Sequence, residues 1–265
     1  MNSKRNFLII LFLFSQDIFA ENLFLNSPEP KNRLAVALQG QEQESLEAKK
    51  EVVTGILQAE KTIGKSVSLF ATLPYTRLNE SGEKKREHLN QQQIGLKLFF
   101  YLYDFGIIGG SNYSFATGKE RLEIGSDKFG NIEFYGGLFY RSGAWAIFSV
   151  ARWNSQLTPH LRERGGEQFE KTWYFDFWLS YTYHSIESIL EVTRKVQYDP
   201  QLENLYSTIV APGFLVHLEV MTFGVSAPIT ISRSYVPDGT LAHPETTFQR
   251  NDFDRSILLK AFKYF

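Results

Sequence analysis

Apolar and polar residues alternate along most of this chain, and the alternation predicts strands. In 93–102, Ile94, Leu96, Leu98, Phe100 and Leu102 share one face, and Gln93, Gly95, Lys97, Phe99 and Tyr101 share the other. In 173–183, Trp173, Phe175, Phe177, Leu179, Tyr181 and Tyr183 lie opposite Tyr174, Asp176, Trp178, Ser180 and Thr182. In 132–141, Ile132, Phe134, Gly136, Leu138 and Tyr140 lie opposite Glu133, Tyr135, Gly137 and Arg141. A period of two is the signature of a strand with two different faces. Twelve strands are predicted, near 32–40, 51–61, 66–76, 92–102, 105–115, 131–141, 145–154, 171–183, 186–196, 205–216, 219–229 and 255–265. One stretch reads two ways. Leu46, Val53 and Leu57 also fall near one helical stripe among good helix formers, so 45–55 is strand or helix.

The joints between the strands add direction. Those at 62–66, 103–105, 142–143, 184–185 and around His217 are short, whereas 40–49, 76–91, 116–130, 155–170 and 232–252 are long and polar. Short and long joints alternate, so all the short ones fall on one side. Short periplasmic turns, long outer loops and an even strand number describe a bacterial outer-membrane barrel. The predicted fold class is therefore all-β: a transmembrane, antiparallel, up-and-down β-barrel of about twelve strands. Aromatics sit at both ends of the apolar faces. Trp145 and Trp153 share a strand and a face, eight residues apart. At about 3.3 Å per residue and a tilt near 40°, they are separated by roughly 20 Å along the membrane normal, close to the spacing of two aromatic girdles. Trp145, Trp153, Trp173, Tyr183 and Phe265 are the predicted interface aromatics, and outer-membrane lipid is the predicted surroundings.

Composition narrows the picture. The formal net charge is −1 and no basic run is interleaved with aromatics, so nucleic acid is not an expected partner. The chain has no cysteine, hence no disulfide, which suits a structure whose strands bond all the way round. Residues 1–20 combine a basic start, an apolar run too short to span a bilayer as a helix, and a small residue at Ala20; they read as a cleaved signal peptide, leaving 21–265 as the barrel domain. The last strand runs up to Phe265, and an aromatic there suits a membrane–water interface.

The strand phase turns charges of both signs inward: Lys97, Glu133, Arg141 and Asp176, then Glu187, Glu191, Lys195 and Lys260. Lys or Arg facing lipid near the midplane costs about 2–4 kcal/mol, so the lumen is where they belong. Tyr101, Tyr135, Tyr174 and Trp178, with Phe99 and Phe139, join them on that face. Such a lining either forms a polar path for a small, hydrophobic or aromatic solute or packs the lumen shut. Catalytic candidates are few. His184-Ser185 is the one adjacent pair of its kind and falls in a short turn, while His88, His160 and His243 sit in separate loops without ligand spacing. No catalytic residue, metal or cofactor is expected.

Three further stretches carry a family resemblance: "SVSLFATLPYTRL" around Leu73-Pro74-Tyr75, "GSNYSFATGKE", and "IVAPGFLVHLEVMTFGVSAPIT" with Pro212-Gly213 and Pro228. Over roughly 55–265 they resemble the outer-membrane transporter family named for the meta pathway of phenol degradation. Ala116 stands where that family usually has Pro, and "QIGLKL" lacks its frequent Gly-Asp pair. The resemblance implies an outer-membrane barrel that passes small, often hydrophobic compounds, without catalytic residues. A final Phe is the usual recognition mark of outer-membrane barrels, and implies handling by the barrel-assembly machinery through Phe265. The expected function is passive passage of a small solute. A closed structural or surface-binding barrel is the alternative, and a lipid-modifying barrel enzyme the second.

Overall fold

The computed structural model describes residues 29–44, 49–82, 84–119, 122, 124, 130–157, 160–161, 167–168, 171–198, 204–236 and 253–265. Its strands are β1 (Arg33–Glu44), β2 (Lys49–Thr62), β3 (Val67–Glu80), β4 (Arg86–Leu89), β5 (Gln93–Leu102), β6 (Phe105–Ser114), β7 (Asn131–Ser142) and β8 (Trp145–Gln156). These are followed by β9 (His160–Leu161), β10 (Glu167–Gln168), β11 (Lys171–Tyr183), β12 (Ile186–Tyr198), β13 (Asn204–His217), β14 (Thr222–Ser226), β15 (Ile229–Val236) and β16 (Arg255–Tyr264).

The strands form a closed antiparallel barrel of twelve staves, counting β4 with β5 as one and β14 with β15 as another. Each stave pairs with the next in sequence, and β1 closes the circle against β16, from Arg33 opposite Tyr264 to Glu42 opposite Arg255. Among the described residues, β9 and β10 stand apart from the barrel as a two-stranded antiparallel pair. No helix among the described residues is long and apolar enough to cross a membrane. The strands do the crossing, and closure of β1 on β16 gives the wall no free edge strand.

The short connections at 63–66, 103–104, 143–144, 184–185 and 218–221 share the rim where β1 begins and β16 ends. Tyr103 and His184 have φ of 58° and 54°, and Gly143 has 58°, the left-handed backbone that tight antiparallel hairpins require. The outward face is apolar: Leu34, Val36, Leu138, Phe177, Phe214 and Leu259 all lie exposed on it. In water such a surface would drive aggregation, whereas against hydrocarbon it is matched. The wall is therefore built to sit in a membrane.

Several expected boundaries are corrected. Strand β1 continues to Glu44 and β2 starts at Lys49, so the loop expected over 40–49 is mostly strand, and 49–55 is strand rather than helix. Charge pairing holds these extensions together: Lys49 Nζ lies 3.1 Å from Glu42 Oε2, and Arg255 reaches across from β16 to Glu42. The strand expected at 219–229 is two pieces, β14 and β15, and runs on to Val236. Pro212 on β13 faces Ala227-Pro228 there; neither proline has an N–H, so the ladder breaks. The carbonyl of Pro212 still accepts from the N–H of Ala227 at 2.9 Å. Pro74 interrupts the fourth stave in the same way, between β4 and β5. The expected signal segment 1–20, and His243 in the last outer connection, lie outside the described residues.

Candidate functional site: the barrel interior

The inward positions of neighbouring staves meet in three groups. The first is aromatic. Phe99, Phe139, Phe148 and Trp178 lie edge to face around the inner wall, with centroids 6.3, 6.4 and 6.4 Å apart. Each is at most 2% exposed. They lie about four to six residues from the short turns, on β5, β7, β8 and β11. Glycine on the neighbouring stave lets the rings lie against the wall: a Cβ on Gly106 would meet Phe99 Cζ at 2.4 Å, and one on Gly110 would meet the Tyr135 hydroxyl at 2.4 Å. Tyr135 lies over Gly110 and donates its hydroxyl to the Leu96 carbonyl at 3.1 Å.

The second group is an ion cluster on β1, β2, β3 and β5. Glu60 accepts from Arg33 Nη2 at 3.1 Å, from Lys97 Nζ at 3.0 Å and from Ser68 Oγ at 2.6 Å. One carboxylate thus serves two cations, and all three are buried. Lys260 on β16 lies within electrostatic range of Arg33, Lys97, Glu60 and Glu191. Residues just before β1 fold onto this cluster: the Lys31 N–H donates to Glu60 Oε1 at 3.3 Å, and the Tyr101 hydroxyl donates to Glu29.

The third group lies on β7, β8, β11 and β12. Arg152 Nε donates to Asp176 Oδ2 at 2.6 Å, its Nη1 is 3.7 Å from Glu133 Oε2, and its guanidinium stands 4.3 Å from the centre of the Tyr174 ring. Thr193 Oγ1 donates to Asp176 Oδ1 at 2.7 Å, and Asn112 Nδ2 donates to Glu133 Oε1 at 2.9 Å. These bonds satisfy the acids that a low-dielectric interior would otherwise penalise. Nearer the short-turn rim, Glu187 Oε2 meets His217 Nε2 at 3.2 Å, and His217 Nδ1 meets Thr222 Oγ1 at 3.2 Å.

Every predicted interior residue can be placed. Lys97, Glu133, Asp176, Glu187, Glu191, Lys195, Lys260 and Trp178 are buried. Arg141, Tyr135 and Tyr174 are half-buried, and Tyr101 is exposed at the rim beside Phe99. Lys97 joins the Glu60 cluster, while Glu133, Asp176 and Tyr174 join Arg152. Sequence reasoning misses Arg152, Arg33 and Glu60, the organising members of both ion clusters. Parity alone could find Arg152: with Trp145 and Trp153 turned to lipid, every even position of β8 faces inward. Arg33 and Glu60 sit at strand ends, where parity has fewer positions to establish it.

The predicted interface aromatics lie on the outer face. Trp153 stacks near Phe134 and packs against Trp173 at 6.4 Å, while Trp145 packs against Tyr181 at 4.7 Å nearer the short-turn rim. Tyr183 and Phe265 are exposed at that rim. The His184 ring packs edge-on against Tyr183, and His184 and Ser185 make no hydrogen bond to each other. The pair occupies a hairpin turn and is not assembled as a nucleophile and base.

No family model and no curated protein matches the chain. Solved structures do. An outer membrane channel from Pseudomonas putida F1 superposes with a TM-score of 0.70 at 10% identity, covering 90% of this chain and 96% of that one. The beta domain of a Bordetella autotransporter gives 0.56 at 8% identity, covering 89% of this chain and 100% of that one. The NanC porin gives 0.54 at 9%, covering 87% and 99%. At such identities the likeness is one of fold, and with the closed wall and its apolar outer face it makes the chain an outer-membrane β-barrel.

Proposed function

We propose that the chain is an outer-membrane channel that passes a small solute of aromatic or hydrophobic character through its bore. The observation that carries this reading is a set of buried polar atoms along the inner wall. Trp178 Nε1, Ser180 Oγ, Ser207 Oγ and Glu187 Oε1 have no hydrogen-bond partner in the protein. Each such atom costs about 1–3 kcal/mol if left unsatisfied. A wall serving only as packing would favour apolar residues there, whereas a wall that hands a solute onward needs free donors and acceptors. The packed rings form the narrow part of the wall, which an aromatic solute would pass by displacing ring contacts of its own kind, and the Glu60 and Arg152 clusters set the field around it. Passage is diffusion down a gradient with selection by side chains, and no bond is made or broken. The meta-pathway resemblance agrees with this solute class and rests on its three motifs. The same resemblance supports handling by the barrel-assembly machinery through Phe265.

Planar-bilayer recording on the refolded chain tests the reading, together with uptake of a small aromatic solute into vesicles containing it. Discrete current steps are expected, with weaker cation preference in Asp176→Asn and larger steps in Trp178→Ala. Stable insertion with neither steps nor uptake would refute it, and would favour a barrel that works through its outer surface.

A further inference from the structure

The lipid-facing wall carries a cation that the protein does not neutralise. Arg194 on β12 points outward, in phase with Val192 and Val196 and opposite to buried Thr193 and Lys195. Its Nη1 donates to Thr208 Oγ1 at 2.8 Å, and its guanidinium lies 5.9 Å from the centre of the Tyr206 ring. Among the described residues it has no carboxylate partner. Tyr206 lies one step nearer the outer rim than Thr208, so the side chain leans toward the outer leaflet. Arg194 pairs directly with Phe175, two residues from Trp173 of the outer girdle. An unpaired guanidinium at that depth meets the headgroup layer, and a planar fork of donors fits phosphate.

A groove opens on the same row of the wall. The register runs from Gly136 to Ala151, to Phe175, to Arg194 and to Thr208 across five successive staves. Gly136 and Ala151 form the groove's floor, Phe134, Trp153 and Trp173 form its sides, and its volume is about 310 Å³. With staves roughly 4.8 Å apart, it begins about 10 Å from Arg194, within one lipid molecule.

We propose that this row is a binding site for one phosphorylated, acylated lipid of the outer leaflet, with its phosphate on Arg194 and an acyl chain in the Gly136–Ala151 groove. The charge selects the headgroup and the groove selects the chain. The site faces away from the bore, so it stands or falls independently of the channel reading.

Native mass spectrometry of the full chain, released from neutral detergent, tests this with dioleoyl phosphatidylglycerol, dioleoylglycerol and inorganic phosphate as probes. Phosphatidylglycerol is expected to stay bound about tenfold more tightly than dioleoylglycerol, a difference of about 1.4 kcal/mol. Inorganic phosphate should not displace it. Arg194→Gln should abolish the preference and Arg194→Lys should keep part of it. Gly136→Leu should weaken both lipids, since a Cβ there meets no atom closer than 3.8 Å and the rest of the side chain enters the groove. Equal binding of the two lipids by the natural chain overturns the proposal. So does displacement by inorganic phosphate, which would mark a site for the free ion. The comparison on the natural chain decides even if a variant fails to fold.

Discussion

Glu60 holds two cations with one carboxylate, Arg33 and Lys97, inside the barrel. Replacing it with Gln keeps the shape and removes the charge that both cations face. Breaking a buried ion pair from one side costs about 3–5 kcal/mol, so Glu60→Gln should lower stability by that order. Urea titration followed by loss of the compact, heat-modifiable band on gels measures it. Adding Lys97→Met should restore part of the loss by removing one stranded charge, and a double variant no more stable than the single would show that Lys97 does not depend on Glu60. The residue scale is also where the sequence was least legible. The inward charges Lys97, Glu133 and Asp176 followed from parity. Which of them share a partner did not, because Glu60 reaches Lys97 across the whole of β3 and Arg152 joins Glu133 to Asp176 from the stave between them, and register is a property of the folded sheet.

At the scale of the strand, alternation carried nearly all the information. Each of the twelve predicted strands corresponds to a stave, since a one-residue slip would turn a whole apolar face into the lumen. What alternation could not show was where a stave breaks. Pro74, Pro212 and Pro228 belong to the stretches that carry the family resemblance, and in the fold they mark gaps in the ladder. The outer ends were also underestimated: 41–44 and 49–50 are polar on both faces, so their pairing depends on charge, not on hydrophobic period. Leu138 gives the element-level test. It lies exposed on the lipid face of β7, opposite Ser149 and so midway between Trp145 and Trp153 of β8. Leu138→Arg should cost about 2–4 kcal/mol in folding from urea into lipid vesicles, and Leu34→Arg, opposite Lys263 at the rim, about 0–1. Equal costs at both positions would place the membrane elsewhere on the wall.

At the scale of the whole molecule, the barrel is a ring of neighbours with one exception. Every stave pairs with the next in sequence except at the seam, where β1 meets β16 over ten residue pairs. Leu38 and Leu259 face each other there on the lipid side, and the chain has no cysteine of its own. Leu38→Cys with Leu259→Cys should cross-link under mild oxidation in the inserted protein and not in urea, as shift of the band on non-reducing gels would show; no cross-link in the inserted form would mean an open seam. Closure was legible from the even strand count and the phase of the joints, though its register was not. The seam also sets an order of events. Neighbouring hairpins can form as soon as their own residues are present, whereas β1 must wait for β16 at the far end of the chain, and closing so long a loop is the slowest contact to earn its entropy back. The seam is then the last ladder to zip during insertion and the first to part under stress, so a bond across it should act mainly on the rate of opening and leave the rate of folding almost unchanged.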